Sequence, residues 1–81
     1  MRVLVVEDEP MIRLLACDIL EAEGWSVVGV STAAAALAAA RAEGFDAAVI
    51  DLGLPDSSGA ALLERLAALR PGLRVVISTG R

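Results

Sequence analysis

Short aliphatic runs, Val3 to Val6, Trp25 to Val30, Phe45 to Ile50 and Leu73 to Ser78, alternate with stretches in which apolar residues recur at helical spacing. This alternation constrains the fold more than any other feature of the chain. A run that is apolar throughout is expected to be covered on both faces, as in a parallel sheet flanked by helices. Parallel neighbours also need a crossover, which the intervening helices supply in the right-handed sense. The order strand-helix three times, followed by a last strand, therefore predicts an α/β domain built on a parallel sheet.

The helical stretches carry their own punctuation. Glu7-Asp8-Glu9-Pro10 leads into the first, with Asp8 as expected N-cap and Pro10 suited to the first turn. From Met11 to Glu23 the apolar positions are Met11, Leu14, Leu15, Ile19, Leu20 and Ala22, and Gly24 is the stop signal. Ser31-Thr32 caps a second helix from Ala33 to Glu43, whose alanine-rich centre has high helix propensity and reads as packing filler with thin contacts. Ser57 or Ser58 caps a third from Gly59 to Leu69, with Leu62, Leu63, Leu66 and Leu69 on one face.

A chain of 81 residues suits one domain, residues 1–81. At this size only about 60–65% of the unfolded surface is buried, so the fold holds little stability in reserve. The net charge is −4 and the arginines form no stripe, which argues against direct nucleic-acid binding. The absence of histidine removes the commonest general base and transition-metal ligand. Cys17, the lone cysteine, reads as a small buried hydrophobe and fits a reduced, cytoplasmic setting. No run approaches the roughly 18 apolar residues of a membrane span. Met1 to Val6 ends in acids with no cleavage site, so it reads as a strand and not a signal peptide.

Polar groups stand at three strand ends: Glu7-Asp8, Asp51 and Ser78-Thr79. In a parallel sheet these ends share the carboxyl edge, where open α/β sheets bind ligands. Taken singly, Asp51 could be a turn former or cap, and Glu7-Asp8 a charged helix start. Brought together, the carboxylates repel unless one takes a proton or a cation joins them. Oxygen donors select a hard cation, and Mg²⁺ commonly takes one or two carboxylates while keeping places for water and phosphate oxygens. This suits receipt of a phosphoryl group, with Asp51 as nucleophile and the Thr79 hydroxyl donating to a phosphoryl oxygen.

The motifs Val3-Leu4-Val5-Val6-Glu7-Asp8-Glu9-Pro10, Asp51 with Pro55 and Gly59 after it, and Val75-Val76-Ile77-Ser78-Thr79-Gly80 resemble the receiver domain of two-component response regulators over the whole chain. The resemblance implies a flavodoxin-like fold with strand order 2-1-3-4-5. It implies Asp51 as the acceptor of a phosphoryl group from a sensor histidine kinase or phosphotransfer protein. It further implies Mg²⁺ held by Glu7, Asp8, Asp51 and the Gly53 carbonyl, and Thr79 as the switch hydroxyl. The expected domain is a C-terminally truncated receiver with order 2-1-3-4, lacking the fifth strand and last two helices.

That truncation removes the lysine and the aromatic switch partner which the resemblance calls for, and no lysine occurs elsewhere. Weak phosphorylation is the expected consequence, because electrostatic stabilisation carries most of phosphoryl transfer. The fourth strand is expected to be an exposed edge, open to homodimer formation by pairing or element exchange. Two other readings stand beside the phosphoacceptor. One is a degenerate receiver acting only as an interaction module. The other is a small hydrolase, which typically has a second acid two residues after the nucleophile, where this chain has Gly53.

Overall fold

The computed structural model describes residues 1–78. In chain order the elements are β1 (Arg2–Val6), α1 (Pro10–Ala22), β2 (Ser26–Val30), α2 (Ala33–Ala42), β3 (Ala47–Asp51), α3 (Gly59–Leu69) and β4 (Arg74–Ser78). The strands form one parallel sheet in the order β2-β1-β3-β4, the flavodoxin-like order expected. Its register sets Val6 beside Val30 and Ile50, and Asp51 beside Ser78. The acids at the carboxyl ends of β1 and β3 therefore meet at one edge of the sheet.

Strand side chains alternate between the two faces. Leu4, Val6, Ala48 and Ile50 are buried in the core with Ala33, Ala36, Leu37 and Ala40 of α2 and Leu62 and Leu66 of α3. The alanine-rich helix is thus not the thinly packed filler expected from its composition. Its small residues belong to the core because a methyl group lets a helix approach the sheet closely. Thr32 caps it, its hydroxyl accepting from the Ala35 N–H at 3.1 Å, and Ser58 does the same for α3 through Ala61 at 3.0 Å.

The first helix departs from expectation in two ways. Its N-cap is Glu9, whose carboxylate accepts from the Ile12 N–H at 2.9 Å; the cap sits directly before Pro10, leaving Asp8 one residue outside. None of its residues is fully buried, and Met11, Leu14, Leu15 and Ile19 are exposed. A Cβ built on Gly29 of β2 would meet the Cys17 sulfur and the Arg13 side chain, so these two residues face the strand. The apolar stripe lies away from that contact. Cys17 is accordingly half-buried, and partial burial followed by the nearby Glu21 raises its thiol pKa above the ordinary value.

Three strands start slightly later than the apolar runs suggest: Trp25, Phe45 and Leu73 precede β2, β3 and β4. Phe45 nonetheless enters the core, and the Arg2 guanidinium lies over its ring at 5.7 Å. Arg2 also pairs with Glu43, and its N–H donates to the Asp46 carboxylate at 2.8 Å. These contacts fasten the amino-terminal end of the sheet. Val76 and Ile77 are exposed on β4, the last strand among the described residues. No helix among the described residues is long and apolar enough to cross a membrane.

Candidate functional site

The carboxyl edge brings together the acids of two strand ends. The backbone N–H of Glu7 donates to the Val30 carbonyl at 3.0 Å, continuing the β1–β2 ladder beyond β1 and fixing where that loop begins. The Glu7 carboxylate is buried and accepts from the Glu9 N–H at 3.1 Å, while the Arg13 guanidinium donates to the Glu7 carbonyl at 2.9 Å. Asp8 is half-buried beside it. Asp51, the last residue of β3, is 4% exposed.

Glu7, Asp8 and Asp51 each offer a carboxylate oxygen, and these oxygens lie within 4.8 Å of one another. Ligands of one Mg²⁺ ion stand about 2 Å from it, so the trio is at most slightly more open than a filled coordination shell. The donors are all oxygen, two of the three residues are buried, and no histidine or cysteine takes part. This donor set fits a hard divalent cation and does not fit a soft one.

The loop from Leu52 to Ser58 completes the edge. Leu54 is buried in the core, Gly53 is exposed beside it, and the Gly59 N–H donates to the Leu52 carbonyl at 3.3 Å. The Asp56 carboxylate reaches back to α2, accepting from the N–H groups of Ala33 at 2.8 Å and Ala34 at 3.0 Å. Those bonds hold its pKa below the ordinary carboxylate value. The sequence reading missed Asp56, since the loop composition shows a turn and gives no sign of a partner more than twenty residues away.

Of the residues expected at the site, Glu7, Asp8 and Asp51 are assembled, and Gly53 follows Asp51 in the adjoining loop. Thr79 lies outside the described residues. Ser78, the residue before it, is paired in register with Asp51.

Residues 3–81 match the family described as response regulator receiver domain. A probable transcriptional regulatory protein, TcrX of Mycobacterium tuberculosis, is 39% identical over 79 residues, spanning 98% of this chain and 34% of that protein. The chain thus spans about a third of the length of this curated relative. A CheY-like response regulator receiver domain from Methanospirillum hungatei superposes with a TM-score of 0.95 at 40% identity, over 99% of this chain and 64% of that one. TrrA of Thermotoga maritima, at 26% identity, has been solved in complex with Mg²⁺-BeF (TM-score 0.89, 94% of this chain and 66% of that one). It has also been solved with histidine kinase ThkA (TM-score 0.88, 99% and 72%). With its sheet order, its acidic edge and a family match from residue 3 to residue 81, the chain belongs to the response regulator receiver domain family.

Proposed function

We propose that Asp51 is the phosphoacceptor of this receiver and that Glu7, Asp8, Asp51 and the Gly53 carbonyl hold Mg²⁺ beside it. The observation that carries this reading is the convergence of the three carboxylates at the ends of β1 and β3. A carboxylate oxygen of Asp51 forms a bond to phosphorus while the phosphorus–nitrogen bond of a donor phosphohistidine breaks, giving an aspartyl phosphate. Mg²⁺, when bound, counters the charge that phosphate oxygens bring to an acidic edge. Thr79 follows the residue aligned with Asp51 and supplies a hydroxyl to a phosphoryl oxygen. The donor is a sensor histidine kinase or a phosphotransfer protein, as with the kinase-bound relative. The domain acts as a signalling phosphoacceptor, in the cytoplasm, and not as a stand-alone enzyme.

The test is intact mass after incubation with acetyl phosphate and Mg²⁺. The expected result is one phosphoryl group, absent without Mg²⁺ and absent in Asp51→Asn. A folded chain that binds Mg²⁺ but gains no mass refutes the acceptor role and leaves a receiver that works by binding alone.

The exposure of Val76 and Ile77 on β4 favours a second reading that is compatible with the first. Exposed apolar side chains on a strand offer a surface to another chain, and we infer that two copies associate through β4. Light scattering at rising concentration shows a dimer if this holds and a monomer throughout if it does not.

A further inference from the structure

The loop that leaves Asp51 is fastened at three points. The Leu54 side chain is in the core, the Gly59 N–H meets the Leu52 carbonyl, and the Asp56 carboxylate spans the first turn of α2. Asp56 is the unusual fastening. Helix α2 already has a local cap in Thr32, whose hydroxyl takes the Ala35 N–H. Asp56 takes the two preceding N–H groups with one oxygen each, at 2.8 and 3.0 Å, from a loop on another strand.

A carboxylate accepting two backbone N–H bonds at a helix N-terminus gains both charge-assisted hydrogen bonding and a favourable alignment with the helix dipole. The lowered pKa of Asp56 follows from the same two bonds. The connection runs from α2, whose Ala33 and Ala36 are buried in the core, to a loop with exposed residues on either side of Leu54. Gly53 has no side chain of its own to fix it. Its position is set by its anchored neighbours: Asp51 and Leu54 on either side, and Asp56 further along.

We propose that Asp56 is a positioning residue for the cation and acceptor site, holding the Gly53 carbonyl in place by clamping its loop to α2. This rests on the reading of Glu7, Asp8, Asp51 and Gly53 as cation ligands. Partners that orient metal ligands commonly change metal affinity by about 10-fold or more when removed.

The variants Asp56→Ala, Asp56→Asn and Thr32→Ala separate positioning from helix capping. Thr32→Ala weakens the same end of α2 and leaves the loop clamp intact. Asp56→Asn keeps one acceptor oxygen and loses the charge and the second acceptor. Mg²⁺ binding by titration calorimetry is compared at a temperature where circular dichroism shows every variant folded. The expected result is about a 10-fold weaker dissociation constant for Asp56→Ala, an intermediate value for Asp56→Asn and the wild-type value for Thr32→Ala.

Equal weakening in Asp56→Ala and Thr32→Ala overturns the proposal, because the effect is then helix stability transmitted generally. Wild-type affinity in both Asp56 variants overturns it too. If Asp56→Ala does not fold, the comparison of Asp56→Asn with Thr32→Ala decides in the same way. A wild-type chain that does not bind Mg²⁺ refutes the ligand reading itself, an outcome distinct from failure of the clamp.

Discussion

Gly59 lies against the backbone of Leu52: a Cβ at position 59 would stand 3.0 Å from the Leu52 Cα and 3.3 Å from the carbonyl oxygen of Asp51. The start of α3 is thus packed on the segment that carries Asp51, with no room for a side chain. Elsewhere in a helix, Gly→Ala gains roughly 1 kcal/mol from propensity. Here overpacking against main chain outweighs that gain. Gly59→Ala is expected to destabilise the chain by about 1–3 kcal/mol, read as a lower urea midpoint. An unchanged or higher midpoint refutes the close packing.

Cation binding provides a second test, independent of phosphorylation. A ligand that binds only the folded chain stabilises it by about 2.7 kcal/mol at 100 times its dissociation constant. Saturating Mg²⁺ is therefore expected to raise the thermal midpoint, and chelation to reverse the rise. Glu7→Gln and Asp51→Asn should each remove most of the response. Wild-type response in both variants places the cation elsewhere.

Much of this arrangement is legible in the residues. Val3 to Val6 reads as a doubly covered strand because every side chain in it is apolar, and all of them are buried. Gly24 reads as a helix stop and takes φ +88°. Asp51 reads as a strand-end acid, and the register places it beside Ser78. What escapes local reading depends on partners distant in sequence. The Asp56 bonds to α2 leave no periodic trace, and the choice of Glu9 over Asp8 as cap turns on a one-residue shift in helix start. The exposed stripe of α1 shows the complementary limit. Helical spacing identifies an apolar face but not what covers it.

Core packing predicts its own ranking of substitutions. Leu66 of α3 is fully buried among α2, α3 and the sheet. Leu66→Ala is expected to cost about 2–5 kcal/mol, measured by urea unfolding. Ala67→Ser, on the exposed side of α3, should change stability by no more than about 0.5 kcal/mol. Similar losses at the two positions refute the assignment of faces.

Asp56 also predicts part of the acid limb of stability. Its bonds to the Ala33 and Ala34 N–H groups lower its folded-state pKa from the ordinary 3.8. A depressed carboxylate pKa contributes stability that is present above the unfolded value and is lost as pH falls through the lower folded value. Asp56→Asn is therefore expected to flatten the fall in stability below about pH 4, measured as urea midpoints down to about pH 2.5. An identical acid limb in both chains refutes the contribution.

The attractive contacts of Arg2 with Glu43, Asp46 and Phe45 stand at the amino-terminal end of the sheet, and the crowded carboxylates stand at the other. The domain consequently has a footing and a working rim. Crowded like charges at the ends of β1 and β3 make the rim the expected place for local opening, while the contacts of the footing hold the other end of the strands. A cation bound there would act as a latch, lowering the frequency of opening without remaking the fold.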